Sequence, residues 1–494
     1  MSLSQHFPVL QVVLPLLAAP VVVLVRRADF AFGLVTLVTW ATFGIAIALW
    51  MAVAESGTIS YAIGNWPPPW GIEYRVDRLA SFVLVLVSGV ASLVLPYSRR
   101  SIAIEIPPEQ HYLFYAMFAL ALCGLLGITV TGDAFNVFVF LEISSLSTYV
   151  LIALSRDRRA LLASYQYLIM GTIGATFIVI GVGLLYLMTG TLNLADMAVR
   201  LEQVHDPRPL LAAAAFLTAG VGLKIALFPL HHWLPNAYAY APSAVSTFLA
   251  ATATKVAVYV MLRFYFTVFD SSPFFKTMPW AELMLVLSLA AMFVASAMAI
   301  FQDDFRRLLA FSSIGQIGYI TLGVSFDSTT GLTAAILHLF NHGIIKGALF
   351  MLAGCAVAVA GGAGMARLAG LGRSMPWTSF GILVGGLGLI GVPGTAGFVS
   401  KWYLIRAALE SGQWWLVFAI VTSSLFALAY VWRFVEVAYL MAPPAGTPVR
   451  REAPLSLLVP GLILTAATVW FGFDTDFTVG TAAGAAVELM ERLR

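Results

Sequence analysis

GVGLKIALFPLHHWLPNAYAYAPSAVSTFLAATATKVAVY, residues 220–259, decides how the rest of the chain is read. It is apolar enough to lie in a bilayer, yet it carries Lys224, His231, His232 and Lys255. Pro229, Pro235 and Pro242 interrupt it, and a continuous helix cannot keep all its backbone bonds through them. A charged lysine inside hydrocarbon costs at least about 2–3 kcal/mol. A segment that combines both features at one depth points to something being moved there.

The chain around this stretch is 494 residues long, 60% hydrophobic and only 10% charged. Soluble domains carry about a quarter charged residues, so this composition marks a polytopic membrane protein. The net charge of +3, without a basic run, excludes a nucleic-acid partner. Cys123 and Cys355 each sit alone in apolar segments, and no CxxC occurs. No metal and no cofactor is therefore expected, and both cysteines read as small buried hydrophobes. The N-terminus has no positive region ahead of its apolar run; Arg26 and Arg27 follow it instead. This predicts an uncleaved first span that starts outside.

Apolar runs long enough to cross recur near 8–25, 31–54, 78–97, 111–131, 134–155, 161–189, 209–229, 243–268, 279–301, 307–325, 330–360, 378–408, 414–440 and 455–473. The expected fold is all-α, with fourteen transmembrane helices. The longest loop, Glu55 to Asp77, contains NWPPPWG and predicts a small turn-rich cap. The tail ends in AAVELMERLR (485–494), expected as a short amphipathic helix on the surface or against a partner. With the start outside, the inner loops hold Arg26, Arg27, Arg99, Arg100, Arg156, Arg158, Arg159, Arg306, Arg307, Arg367, Arg373, Arg450 and Arg451. The outer loops hold Arg75, Arg78, Arg200, Arg208 and Lys276. That asymmetry follows the positive-inside rule and supports the count, because one missed span would swap every later loop.

The seventh span is interrupted at FPLHHWLP (228–235) and the twelfth at GVPGTAGF (391–398). Broken helices at matching places suggest two inverted repeats with a transport path at mid-membrane. The breaks are five spans apart, an odd number, which gives the halves opposite orientation. Ordinary proline kinks are the alternative.

Lysine usage is the sharpest chemical signal. Against 22 arginines there are five lysines, and Lys224, Lys255, Lys346 and Lys401 lie within expected spans; only Lys276 does not. Arginine stays charged in proteins, whereas a buried lysine can release its proton. Snorkelling toward the headgroups is the competing explanation. Glu142, in GDAFNVFVFLEISSLSTYVLIALSRD, lies about ten residues from either polar flank, near mid-bilayer. Such a carboxylate needs a cation, and Lys224 is the candidate; a static structural pair is the alternative. Glu436 stands three residues from Arg433, spacing that fits a local pair. His338, His342 and Lys346 follow at i, i+4, i+8 on one helix face, a column able to carry protons by way of water. There is no HExxH glutamate to support a metal. His231, His232 and Lys401 extend the set of titratable groups along the middle of the membrane.

At these residues the sequence resembles the antiporter-like subunits shared by respiratory complex I, membrane-bound hydrogenases and multisubunit Mrp-type cation/proton antiporters. The likeness is strongest over FLEISSLSTYVLIAL (140–154), residues 222–259, HLFNHGIIKGALF (338–350) and GVPGTAGFVSKW (391–402). FLEISSLSTYVLIAL and HHWLPNAYAYAPSAVS are most similar to the D-type chain of Mrp-type antiporters, with the N-type chain of complex I as the nearest rival. The resemblance implies two inverted five-helix repeats and broken helices seven and twelve. The organisation is then 1–110 as helices one to three, 111–268 as the first repeat, 279–440 as the second, and 455–494 as helix fourteen with the tail. It implies that Glu142, Lys224, Lys255 and Lys401 carry proton transfer, and that His338, His342 and Lys346 form a relay.

The expectation is thus a proton-translocating subunit of a sodium or other monovalent cation/proton antiporter. It would be multi-pass in the cell inner (plasma) membrane and assembled with other membrane subunits. It reads as part of a secondary transporter rather than an enzyme. The alternative is a proton-pumping subunit of an NADH-quinone oxidoreductase or hydrogenase-type complex. In that case redox chemistry sits in partners, since this chain has no dinucleotide, iron–sulfur or haem motif. A structural scaffold would not require buried lysines.

Overall fold

Each apolar run becomes a helix because a bilayer leaves no other way to satisfy a spanning backbone. The structure, a computed structural model, describes residues 3–443 and 451–491. Arg450 and the last three residues of the tail lie outside the described residues, as do residues 1–2.

In chain order, α1 (Phe7–Val25) and α2 (Ala28–Ser56) lead into the strands β1 (Ile59–Ala62) and β2 (Glu73–Val76). Four long helices follow: α3 (Arg78–Glu105), α4 (His111–Val130), α5 (Ala134–Ala153) and α6 (Arg159–Thr189). A short α7 (Leu194–Leu201) precedes α8 (Pro207–Ile225), α9 (Leu234–Tyr240) and α10 (Ser243–Ser271). The second half comprises α11 (Trp280–Ile300), α12 (Phe305–Ser325), α13 (Thr329–Ala360), α14 (Pro376–Ile390), α15 (Ala396–Glu410) and α16 (Trp414–Leu440). The chain closes with α17 (Leu455–Phe473) and α18 (Asp476–Glu491).

Among the described residues, thirteen helices are long and apolar enough to cross a membrane. The remaining expected span, 378–408, is the pair α14 and α15, two half-helices separated by residues 391–395. Both expected breaks are present. α8 stops at Ile225, Ala226 takes a left-handed conformation, and α9 resumes at Leu234. α14 stops at Gly391, whose φ is 87°, a value that favours glycine.

The two ends of the bundle are distinct in contacts. Residues assigned to the arginine-rich side meet one another: Arg99 with Asp29, Arg306 with Glu105, and Arg433 with Asp303. Those at the other end do likewise: Arg263 with Asp77, Arg78 with Glu488, and Lys276 with Asp270. A miscounted span would have mixed the two sets.

Four sequence expectations change. α3 runs to Glu105 rather than ending near 97; Arg99 and Arg100 lie exposed on its last turns, and Arg99 sits over the Phe32 ring at 5.0 Å. The Glu55–Asp77 cap is built on an antiparallel hairpin, with Ile59 opposite Val76 and Ala62 opposite Glu73. The tail helix α18 packs on its own chain against α3 and α13, burying Thr478, Ala482, Ala485 and Leu489. Its alanine-rich face fits close helix packing, which the amphipathic reading overlooked. Arg433 bonds to Asp303 at 2.6 Å and to the carbonyls of Ile300 and Gln302, while Glu436 is exposed. The end of α11 offers that guanidinium three acceptors at once, more than a neighbour on its own helix can.

Candidate functional site: a line of buried ammonium and imidazole groups

Two half-helix ends and two bulged or long helices hold the site. On the first, Lys224 occupies the last turn of α8, where the C-terminal carbonyls favour a cation. Its Nζ lies 3.6 Å from Glu142 Oε1 and donates to Ser145 Oγ at 2.8 Å. Ion-pair contact is therefore made, but Oε1 accepts no hydrogen bond. A 20 Å³ cavity, room for one water, borders Lys224, Ser144, Ser145, Thr148 and the α10 residues Ala253 and Ala257. It separates Lys224 from the turn that carries Lys255.

That turn departs from α-geometry. Residues 249–253 form a π turn inside α10, and such turns free a carbonyl from the regular ladder. Lys255 Nζ donates to the Ala250 carbonyl and, at 3.3 Å, to Thr254 Oγ1. On α13, Lys346 Nζ donates to the Leu309 carbonyl at 2.8 Å and to Ser312 Oγ at 2.5 Å, both on α12. One turn before Lys346 on the same helix stands His342, fully buried, with neither ring nitrogen bonded to a protein group. The His338 ring lies parallel to it at 5.9 Å, one turn away, the spacing expected for i, i+4.

From His338 the connections are direct. Its Nδ1 meets Ser400 Oγ at 2.7 Å and its Nε2 meets Gln316 Oε1 at 3.0 Å. Gln316 Nε2 donates to the Leu389 carbonyl at 3.3 Å. Lys401 Nζ donates to that same carbonyl and to Ile390 O, each at 2.9 Å, and to Ser424 Oγ at 3.0 Å. The break after α14 frees those carbonyls and aims a helix C-terminus at the ammonium. Tyr319 presents its ring face to Lys401 at 4.3 Å.

Lys224, Lys255, Lys346 and Lys401 are 7%, 1%, 0% and 5% exposed. Snorkelling is thereby excluded for all four. The exception among the expected residues is the pair in the α8–α9 connection. His231 is buried and stacks on Phe228 and His232 at 5.1 and 5.0 Å, but its Nδ1 has no partner and His232 is exposed. No hydrogen bond joins either histidine to the line. Gln316, Ser400, Ser424, Ser145, Ser312 and Tyr319 were not singled out in the sequence. Only Ser145, three residues after Glu142 on one helix, carried a local signal. Among the described residues no group of three or more histidine, cysteine or carboxylate side chains is placed to hold a metal.

A buried set of proton-exchangeable groups spaced along half-helix ends can be set beside known proteins. Residues 131–427 match the transmembrane family described as NADH:quinone oxidoreductase/Mrp antiporter. The N-type chain of the NADH-quinone oxidoreductase of Desulforudis audaxviator is 39% identical, the alignment covering 96% of this chain and 97% of that one. The D-type chain of the Na(+)/H(+) antiporter of Alkalihalophilus pseudofirmus is 29% identical over 87% of this chain and 86% of that one. A chain of the Mrp complex from Dietzia sp. superposes with a TM-score of 0.91 at 26% identity, covering 100% of this chain and 98% of that one. The family match covers more than half of the sequence, so the chain belongs to the NADH:quinone oxidoreductase/Mrp antiporter transmembrane family.

Proposed function

We propose that the chain is a proton-translocating membrane subunit of a multisubunit Mrp-type monovalent cation (Na+)/proton antiporter. The observation that carries this is Glu142 in ion-pair contact with Lys224 at the head of a line of deeply buried lysines. A permanently charged buried ammonium is costly, whereas one that alternates between charged and neutral forms is a proton carrier. Closing the Glu142–Lys224 pair holds both groups charged, and opening it removes the support of each for the other. Lys255, next along the line, responds by exchanging its proton with His342. The charge then passes by His338, Gln316 and Ser400 toward Lys401, with Lys346 as a side branch anchored on α12. His231 and His232 join at the α8 break when water bridges them. Segments 111–268 and 279–440 act as the two inverted repeats, each with one broken helix.

The chain sits in the plasma membrane with its N-terminus outside and works with other membrane subunits. As a transporter subunit it is not itself an enzyme. A second reading, an N-type proton-pumping subunit of an NADH-quinone oxidoreductase, is favoured by the 39% identity to such a chain. Purification of the native complex followed by mass spectrometry separates the two: small antiporter subunits on one side, iron–sulfur and NADH-binding subunits on the other. The proton role itself is tested by replacing Glu142 or Lys224 with alanine and measuring proton movement in membrane vesicles. Normal transport with either variant refutes it.

A further inference from the structure

A second polar cluster lies at the arginine-rich end of the bundle, away from the line. Glu105, at the end of α3, accepts from Ser101 Oγ at 2.7 Å, from Ser243 N and Ser243 Oγ at 2.8 Å, and from Arg306 at 3.0 Å. Arg306 is 6% exposed and also donates to Ser243 Oγ and to the Ala239 and Ala241 carbonyls. A cavity of 210 Å³, space for several waters, opens beside them between α3, α13 and α17, lined by Tyr97, Glu105, Ser243, Gly354 and Ala358.

The position of the cluster is informative. Ser243 is the first residue of α10, and seven residues on the Ala250 carbonyl holds Lys255. Arg306 is in the first turn of α12, whose Leu309 carbonyl and Ser312 hydroxyl hold Lys346. At the rise of a helix both lysine anchors lie within about 10 Å of the cluster. One carboxylate thus joins the starts of the two helices that seat the two central lysines. From this juxtaposition we propose that Glu105 and its cavity form the proton port between the arginine-rich aqueous face and Lys255 and Lys346. This deepens the proton-transport reading and rests on it.

In the port, a proton from bulk water adds to the Glu105 carboxylate. It then passes by way of water between the cavity and the lysine anchors to a neutral lysine amine, so the carboxylate is restored as the ammonium forms. Four hydrogen bonds from Ser101, Ser243 and Arg306 fix the position of the Glu105 carboxylate.

The test uses the native complex in oriented vesicles, in a background with Cys123→Ala and Cys355→Ala. A cysteine at Ala358 should react with a membrane-impermeant sulfonated maleimide from the same side as a control cysteine at the exposed Glu109, and from that side only. Glu105→Gln should lower proton transport at least tenfold with the complex assembled, and Glu105→Asp should recover part of it. Failure of the Ala358 cysteine to label, labelling from the opposite side, or full transport by Glu105→Gln overturns the port. Should Glu105→Gln fail to assemble, labelling decides alone. Absence of proton transport by the unmodified complex would instead sink the functional reading, whatever the labelling shows.

Discussion

Replacing Glu142 with glutamine keeps the shape of the side chain and removes its charge. Lys224 then loses its counter-ion at 3.6 Å and retains Ser145 Oγ at 2.8 Å as its hydrogen-bond acceptor. At an effective dielectric constant of about 20, the lost attraction is about 4–5 kcal/mol. The Glu142 side chain is 25% exposed, so solvent screening trims that figure. A step that depends on the charged pair would then slow by up to about three orders of magnitude. The assay is decay of an imposed pH gradient in everted vesicles, with protein content checked by immunoblot. Glu142→Asp, one methylene shorter, should retain an intermediate rate because water can span the added gap. The combination with Lys224→Met should be no worse than either single change, since each already removes the pair. Equal transport by Glu142→Gln and the unmodified protein would show that the charged pair plays no part in transport. Additive losses in the double variant would also refute the reasoning.

Other consequences follow from particular contacts. A Cβ on Gly391 would meet Lys401 Cδ at 2.8 Å at a φ of 87°, so Gly391→Ala should cost about 1–2 kcal/mol in backbone strain alone and displace the ammonium from its carbonyls; thermal melting and transport should both fall. Gln316→Leu cuts the link from His338 to the Leu389 carbonyl, and transport should drop more than tenfold while the melting temperature moves by a few degrees. Arg263→Ala removes the guanidinium from the buried Asp77 carboxylate, which keeps the Ala80 N–H at 3.0 Å, and should destabilise by about 3–5 kcal/mol, read by thermal unfolding. By contrast Arg159→Ala, at an exposed pair with Asp157, should cost less than about 1 kcal/mol. The Arg159 guanidinium holds the Asp157 carboxyl below its ordinary range, so its small contribution is present at neutral pH and fades as the pH falls through that lowered value. The difference between the melting curves of Arg159→Ala and the parent should therefore shrink in acid, leaving only the lost contact of Arg159 with the Tyr240 ring at 4.5 Å.

Much of the architecture was legible because bilayer-length hydrophobic runs leave few alternatives. Arginine asymmetry supported the span count, and the prolines near 229–242 marked one break. Lysine scarcity singled out four groups that turn out to be buried. What was hidden lies in contacts between segments distant in sequence. Lys401 rests on carbonyls twelve and eleven residues earlier only because α14 ends there, and Ser424 approaches from α16. Gln316 reads as an ordinary helix residue until α12 sets it between His338 and Leu389. The π turn that frees a carbonyl for Lys255 has no clear sequence signature. The Ile59–Val76 hairpin escaped notice because NWPPPWG draws attention to turns, while its strands are only four residues each. Pattern reading located the chemical groups; it could not supply the dipoles that seat them.

The central claim is that buried lysines work by gaining and releasing protons, and Lys255→Arg tests it most directly. Arginine keeps the positive charge and a hydrogen-bond donor at the Ala250 carbonyl but cannot become neutral. The purified, correctly assembled complex carrying this change is reconstituted into liposomes, and proton flux is followed with an internal pH dye. If Lys255 must shed its proton, flux falls to the level of protein-free liposomes. Flux equal to that of the unmodified complex would show that Lys255 serves only as a fixed charge, and the proposed conduction through it would be wrong.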